Sequence, residues 1–90
     1  MTPHGRLCVG ICAWLRERGV WFVRTNSFGY GRTGIPDILA CYHGKFVAIE
    51  AKVKPDKPSA WQLRELAAIR EAGGIALVIH DVAELGSVFI

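Results

Sequence analysis

The sequence predicts a small α/β domain in which one mixed β-sheet is flanked by helices. Apolar residues recur at helical spacing near the amino terminus and again in 59–72. Between these segments lie β-rich runs, two of which flank a His43-Gly44 turn, and an entirely apolar run follows at 75–79. The expected order is helix, three strands, helix, strand, within a single domain spanning 1–90.

The first helix is predicted over residues 3–18. Thr2 and Pro3 match an N-cap followed by proline at the first helical position, and Gly19 supplies the stop. The apolar face of this helix consists of Leu7, Ile11, Trp14 and Leu15.

Three potential metal ligands share another face of this helix. His4, Cys8 and Cys12 are four residues apart, a spacing that suggests a zinc site. No fourth ligand is evident nearby and small buried cysteines are common, so the spacing does not by itself predict zinc. With Cys41 the cysteines number three, an odd count, and no signal peptide is evident, so we expect free thiols in a reducing compartment.

A first strand is expected at 20–25, followed by a glycine-rich segment at 26–34. One interpretation is a loop that contacts DNA, with Arg32 on a phosphate and Phe28 or Tyr30 stacking on a base. The other is a plain connection whose aromatic rings cover the edge of the core. A nucleotide-binding P-loop is not predicted, because its glycine and lysine spacing is absent.

The hairpin strands are predicted at 36–42 and 45–52. With a loop of two or of four residues, Asp37 faces Glu50 with their β-carbons roughly 4.5–5.5 Å apart. Like charges in that position destabilise a sheet, and a divalent cation is the simplest compensation. Lys52 projects from the same face as Glu50. The opposite face is apolar and should pack on a helix: Ile38, Ala40, Val47, Ile49 and Ala51.

The second helix is expected to begin with the capping box Ser59-x-x-Gln62 and to end near residue 72, before two glycines. The run at 75–79 has no polar member, which predicts a strand in the interior of the sheet. Asp81 can cap a short final helix. Residues 88–90 are apolar and would be exposed in a monomer.

The residues Gly34-Ile35-Pro36-Asp37, Glu50-Ala51-Lys52 and Gln62 resemble the signature of the PD-(D/E)XK nucleases. More narrowly, the chain from about residue 7 to 85 resembles the virus-type replication-repair nuclease (VRR-NUC) domain. The resemblance implies a restriction-endonuclease-like core and an endodeoxyribonuclease that hydrolyses phosphodiester bonds with Mg²⁺ or Mn²⁺. The implied catalytic residues are Asp37, Glu50, Lys52 and Gln62, and the implied metal ligands are Asp37, Glu50 and the backbone carbonyl of Ala51.

Structural roles for these residues stay open. Asp37 can instead be a turn residue, Glu50 and Lys52 an exposed pair, and Gln62 only part of the capping box. The family usually carries an acidic residue early in the first helix, where this chain has His4 and Gly5. Either His4 is an accessory ligand in its place, or a second metal site is missing, or activity is weakened.

The resemblance also implies partners: branched DNA such as Holliday junctions, a second copy of the chain in a homodimer, and a DNA-repair role inside a bacterial or phage-infected cell, in the cytoplasm. A net charge of +3 is compatible with DNA, and no segment reaches the ~18 apolar residues of a membrane span. The candidate phosphate contacts are Arg24, Arg32, Lys45, Lys54, Lys57 and Arg64. A non-catalytic module that binds branched DNA, and a protein-interaction domain, are the alternatives.

Overall fold

The computed structural model describes residues 1–25 and 32–89, and the predicted α/β class is confirmed. Its elements are α1 (Pro3–Glu17), β1 (Trp21–Arg24), β2 (Ile38–Tyr42), β3 (Lys45–Ala51), α2 (Ala60–Glu71), β4 (Ile75–Ile79) and a final 3-10 helix (Val82–Ser87). Phe28 and Tyr30 lie outside the described residues, so both interpretations of the glycine-rich segment stay predictions. Within the described ranges, no helix is both long enough and apolar enough to cross a membrane.

The four strands form one mixed sheet in the order β1-β2-β3-β4. β1 and β2, and β2 and β3, pair antiparallel, whereas α2 connects β3 to a parallel partner, β4. The predicted interior position of the run at 75–79 is therefore wrong, since among the described strands β4 pairs only with β3. An apolar run indicates that both faces of a strand are covered by helices. It does not show whether the strand lies at the centre or at the edge of the sheet.

The β2–β3 hairpin closes through the two-residue turn His43-Gly44. Both turn residues have positive φ, 50° at His43 and 78° at Gly44, which is the conformation that matches the twist of the flanking strands. Tyr42 pairs with Lys45 and Ile38 pairs with Ile49, so the predicted register is confirmed.

The two faces of the sheet are covered by different helices. On one face, Ile38, Ile49 and the other predicted apolar residues pack against α1. α2 lies over the other face, where Leu66 and Ala48 are fully buried outside that main cluster. Both faces of the sheet are thus covered, with α1 against the hairpin and α2 chiefly against β4.

The carboxy-terminal residues complete the core. Asp81 caps the final 3-10 helix, with its side chain accepting a hydrogen bond from the amide of Ala83, as predicted. Phe89 is buried, with its ring centroid 5.6 Å from that of Trp14 and 5.1 Å from that of Tyr42. The expectation that this segment is exposed is wrong for Phe89, because the turn after β4 returns the chain across α1.

Candidate active site

The site lies at the open end of the β2–β3 hairpin. Asp37 immediately precedes β2, and the register of the hairpin places it opposite Glu50. The Asp37 carboxylate accepts a hydrogen bond from the amide of Ala51 at 2.8 Å, which turns it toward β3. The side chain of Asp37 is 22% exposed and that of Glu50 only 2%. One carboxylate therefore reaches solvent while its neighbour is enclosed.

Glu50 uses one of its two carboxylate oxygens for protein contacts. Its Oε2 accepts a hydrogen bond from the Gln62 side-chain amide at 3.1 Å and lies 3.7 Å from Lys52 Nζ. Its Oε1 is buried, and no hydrogen-bond partner for it exists among the described residues. A buried oxygen without a donor is costly, so this atom is available to a ligand.

The surroundings of Glu50 disfavour its charged form. Burial, followed by the nearby Asp37 carboxylate, raises the pKa of Glu50 to about 8, and Lys52 acts in the opposite direction. Without a metal ion, burial and the neighbouring carboxylate therefore favour a proton held by the Asp37–Glu50 pair. A cation between Asp37 and Glu50 would remove both the repulsion and the need for that proton.

The donor set fits a hard divalent cation. Mg²⁺ and Mn²⁺ prefer oxygen ligands, and Mg²⁺ usually takes one or two protein carboxylates and keeps several waters. Asp37 and Glu50 supply that number, one of them with an unpartnered oxygen. Ala51 contributes its amide to Asp37, and its carbonyl as a metal ligand stays a prediction.

Gln62 serves the helix and the site at the same time. Its Oε1 accepts from the amide of Ser59 at 2.8 Å, while Ser59 Oγ accepts from the amide of Gln62, so the predicted capping box is confirmed. The remaining side-chain nitrogen is the one that donates to Glu50. A glutamate could complete the same capping box but could not donate to a carboxylate.

The chain is similar to known proteins. Residues 10–74 match the family described as archaeal Holliday junction resolvase (Hjc). The chain belongs to this family. The match spans β1 through α2 and so includes Asp37, Glu50, Lys52 and Gln62.

Two solved structures resemble this Hjc-family protein over most of its length. A VRR_NUC domain has a TM-score of 0.84 at 25% identity, with both chains fully covered. Hjc of Archaeoglobus fulgidus, a Holliday junction resolvase from an archaeal hyperthermophile, has a TM-score of 0.66 at 25% identity, covering 86% of this chain and 67% of that one. The predicted resemblance to VRR-NUC domains, within the PD-(D/E)XK superfamily, is confirmed.

A phage protein is also similar in sequence. "Putative nuclease p44" of Acyrthosiphon pisum secondary endosymbiont phage 1 is 37% identical over 59 residues, which are 64% of this chain. The alignment spans 62% of that relative's length.

Gly34 positions the site, a role that sequence reasoning missed. Its φ is 91°, and a β-carbon there would lie 2.7 Å from the carbonyl oxygen of Trp61. The segment before Asp37 therefore packs directly on the first turn of α2, which carries Gln62. The sequence shows a glycine two residues before Pro36, but not why a glycine is needed there. The requirement comes from a contact with a segment far along the chain.

His80 was also missed. Its Nδ1 lies 2.9 Å from the carbonyl oxygen of Lys52, and the amide of Lys52 donates to the carbonyl of Ile79 at 3.0 Å. These contacts extend the parallel β3–β4 ladder by one residue and fix the backbone of Lys52. Knowing that β4 pairs parallel with β3 would have been enough to place His80 there.

α1 brings His4 to Asp37, at the end of the helix where the family usually has an acid. His4 Nε2 lies 3.2 Å from Asp37 Oδ2, and Cys8 Sγ lies 3.7 Å from His4 Nε2. Cys12, the third residue of the predicted face, is not part of this cluster. All three cysteines are free thiols, in agreement with the prediction.

The candidate phosphate contacts are spread over several surfaces. Lys45 begins β3 at the hairpin turn, five residues and roughly 17 Å along the strand from Glu50. Arg32 donates two hydrogen bonds of 3.0 Å to the buried Glu65 of α2, and the Arg64 guanidinium lies 5.0 Å from the Trp61 ring. The remaining three are exposed, Lys54 and Lys57 in the turn before α2 and Arg24 at the end of β1.

Proposed function

We propose that this protein is a divalent-metal-dependent endonuclease that cleaves branched DNA of the Holliday-junction type. One observation carries the proposal: Asp37 and Glu50 meet beside Lys52, and one buried oxygen of Glu50 has no partner among the described residues. Membership of the Hjc family supports DNA as the substrate. The likeness to a Holliday junction resolvase structure supports a junction in particular.

Asp37 and Glu50 would hold the metal ion. When bound, Mg²⁺ or Mn²⁺ lowers the pKa of a coordinated water and offsets charge on the phosphate. Lys52 Nζ, beside Glu50, is positioned to deprotonate or orient the attacking water or to stabilise the negative charge that develops. Gln62 holds the orientation of Glu50, and His80 holds the backbone that carries Lys52.

The test is cleavage of a synthetic four-way junction, with a linear duplex of the same sequence for comparison, in Mg²⁺ or Mn²⁺. We expect junction cleavage by the parent protein and a loss on the order of 10²–10⁴-fold in Asp37→Asn and in Lys52→Ala. Asp56→Asn, an exposed aspartate in the turn before α2, is the matched control and should retain activity. Equal rates in all four proteins would reject the proposed site.

A non-catalytic DNA-binding module is the second candidate, and the His4–Asp37 contact favours it. Where the family usually has an acid, an imidazole lies 3.2 Å from a proposed metal ligand. In that case the junction would bind with strong salt dependence and remain uncut in every divalent metal tested.

The homodimer is a further part of the proposal. Several large apolar side chains are exposed in the described chain: Val9, Trp21, Val23, Phe46, Trp61 and Leu63. A second copy would cover part of this surface and bring two sites to one junction. Sedimentation equilibrium at micromolar concentration should give a dimer mass, and a monomer at every concentration would reject this part alone.

A further inference from the structure

The contact between α1 and Asp37 assembles a group of three different ligand types. His4 offers an imidazole nitrogen, Cys8 a sulfur and Asp37 a carboxylate oxygen, and these atoms all lie within 4.8 Å of one another. The sequence showed two of the three on one helical face, and the hairpin supplies the third. We propose that His4, Cys8 and Asp37 form a site for a thiophilic divalent ion such as Zn²⁺.

The distances agree with tetrahedral coordination. Zinc bonds of about 2.3 Å to sulfur and about 2.05 Å to nitrogen or oxygen place sulfur and nitrogen about 3.6 Å apart, and nitrogen and oxygen about 3.3 Å apart. The corresponding separations are 3.7 Å from Cys8 Sγ to His4 Nε2 and 3.2 Å from His4 Nε2 to Asp37 Oδ2. Both separations that involve His4 Nε2 therefore match one ion, and the third pair of ligand atoms, on Cys8 and Asp37, lies within 4.8 Å.

This site differs in chemistry from the Asp37–Glu50 pair. Thiolate and imidazole ligands favour Zn²⁺ over Mg²⁺, whereas two carboxylates favour Mg²⁺ or Mn²⁺. Three protein ligands leave a fourth position for water. The side chains of His4 and Asp37 are 46% and 22% exposed, which gives an ion a route in, while Cys8 is buried beneath them.

The neighbours of the sulfur act in both directions. Burial raises the pKa of the Cys8 thiol to about 11, with a further rise from Asp37, while the Arg24 guanidinium opposes the rise. A bound ion displaces the thiol proton, which passes to solvent as the thiolate–metal bond forms. Arg24 stabilises that thiolate and also repels the cation.

Sharing Asp37 couples this site to the proposed function. An ion held by His4 and Cys8 would draw Asp37 away from Glu50, so Zn²⁺ should inhibit cleavage competitively with Mg²⁺. This consequence rests on the proposed nuclease activity, whereas binding itself does not.

The test is titration of the reduced, metal-free protein with Co²⁺ in the absence of DNA, followed by ultraviolet–visible absorption. Cobalt substitutes for zinc, and a thiolate ligand gives a sulfur-to-cobalt charge-transfer band. We expect this band in the parent protein and in Cys12→Ala and Cys41→Ala, and we expect Zn²⁺ to abolish it. Cys12 is the matched control, because it is also a buried thiol of α1 but lies outside the cluster.

Cys8→Ala should lose the band while remaining folded by circular dichroism. If that variant fails to fold, exposed His4 provides an independent reading, since His4→Ala should raise the Co²⁺ dissociation constant at least about 10-fold. A band that is absent from the parent protein, that persists in Cys8→Ala, or that has unchanged affinity in His4→Ala would overturn the proposal. None of these results depends on DNA cleavage, so the two proposals fail separately.

Discussion

At the scale of single residues, Glu50 is enclosed beside Asp37, and its pKa is raised to about 8. An acid whose pKa is higher in the folded than in the unfolded protein binds more protons when folded. Its stabilising contribution is present below the unfolded pKa near 4.5 and is lost as the pH rises through about 8.

Glu50→Gln should therefore stabilise the metal-free protein at alkaline pH. The glutamine is neutral at every pH, so the difference in unfolding free energy from the parent protein should grow from about pH 5 to about pH 8.5 and reach on the order of 4–5 kcal/mol. Urea unfolding in a chelating buffer measures it. Added Mn²⁺ should stabilise the parent protein and leave the variant unchanged.

Glu84→Gln is the control of opposite sign. Hydrogen bonds from the amides of Asp81 and His80 lower the pKa of Glu84, so its contribution is present above the unfolded pKa near 4.5 and is lost on acidification. This variant should be less stable than the parent at neutral pH and similar to it at acidic pH. A parallel pH dependence in both variants would contradict the assignment.

Two substitutions of Gln62 can distinguish its role in helix capping from its role in the active site. Gln62→Glu keeps the capping box but replaces the donor to Glu50 with a third carboxylate, whereas Gln62→Ala removes both functions. We expect cleavage to fall about 10–100-fold in both variants. In saturating Mn²⁺, only Gln62→Ala should also lose about 1 kcal/mol in urea unfolding. Full activity in Gln62→Glu would show that the amide serves the helix alone.

At the scale of elements, the site depends on how the chain before β2 meets α2. Gly34 allows the two backbones to touch, and this contact fixes the position of Asp37 relative to Gln62. Regular elements thus supply the side chains, while an irregular segment sets the distance between them.

Gly34→Ala should destabilise the protein by about 2–4 kcal/mol, because it adds both left-handed backbone strain and a collision with the Trp61 carbonyl. Gly44→Ala is the matched comparison, since Gly44 also has positive φ, 78°, but nothing lies within 4 Å of its added β-carbon. It should lose only the strain component, about 1 kcal/mol. Equal losses in chemical denaturation would exclude a special role for the close approach.

At the scale of the whole molecule, one core joins the two ends of the described chain. Phe89 packs on Trp14 of α1 and on Tyr42 of β2. The last described residues and the first helix therefore belong to the same core. The same packing holds α1, and with it His4, against the hairpin.

Phe89→Ala should cost about 3–5 kcal/mol of unfolding free energy, since it removes a buried ring and leaves a cavity beside the half-buried rings of Trp14 and Tyr42. Phe46→Ala is the comparison, because Phe46 is 46% exposed and should cost about 1 kcal/mol. Thermal unfolding of the two variants measures the difference. A smaller loss in Phe89→Ala than in Phe46→Ala would mean that the carboxy-terminal segment is not part of the cooperative core.

Local patterns in the sequence were sufficient to predict the helices, the hairpin and its register. They also predicted that Asp37 and Glu50 face each other. Helical spacing, capping residues and a two-residue turn each involve residues only a few positions apart. These features can therefore be identified from the sequence alone. The capping box of Gln62 was predicted from the sequence pattern and is confirmed, and its contact with Glu50 agrees with the position that the resemblance implied, while its catalytic role stays a prediction.

The tertiary structure alone decided which distant segments meet. The edge position of β4, the burial of Phe89, the packing of Gly34 on Trp61 and the joining of His4 and Cys8 to Asp37 each depend on contacts between residues far apart in the chain. Such contacts are determined by the packing of the whole core. The residues adjacent to a side chain in the sequence do not indicate which distant surface that side chain will contact.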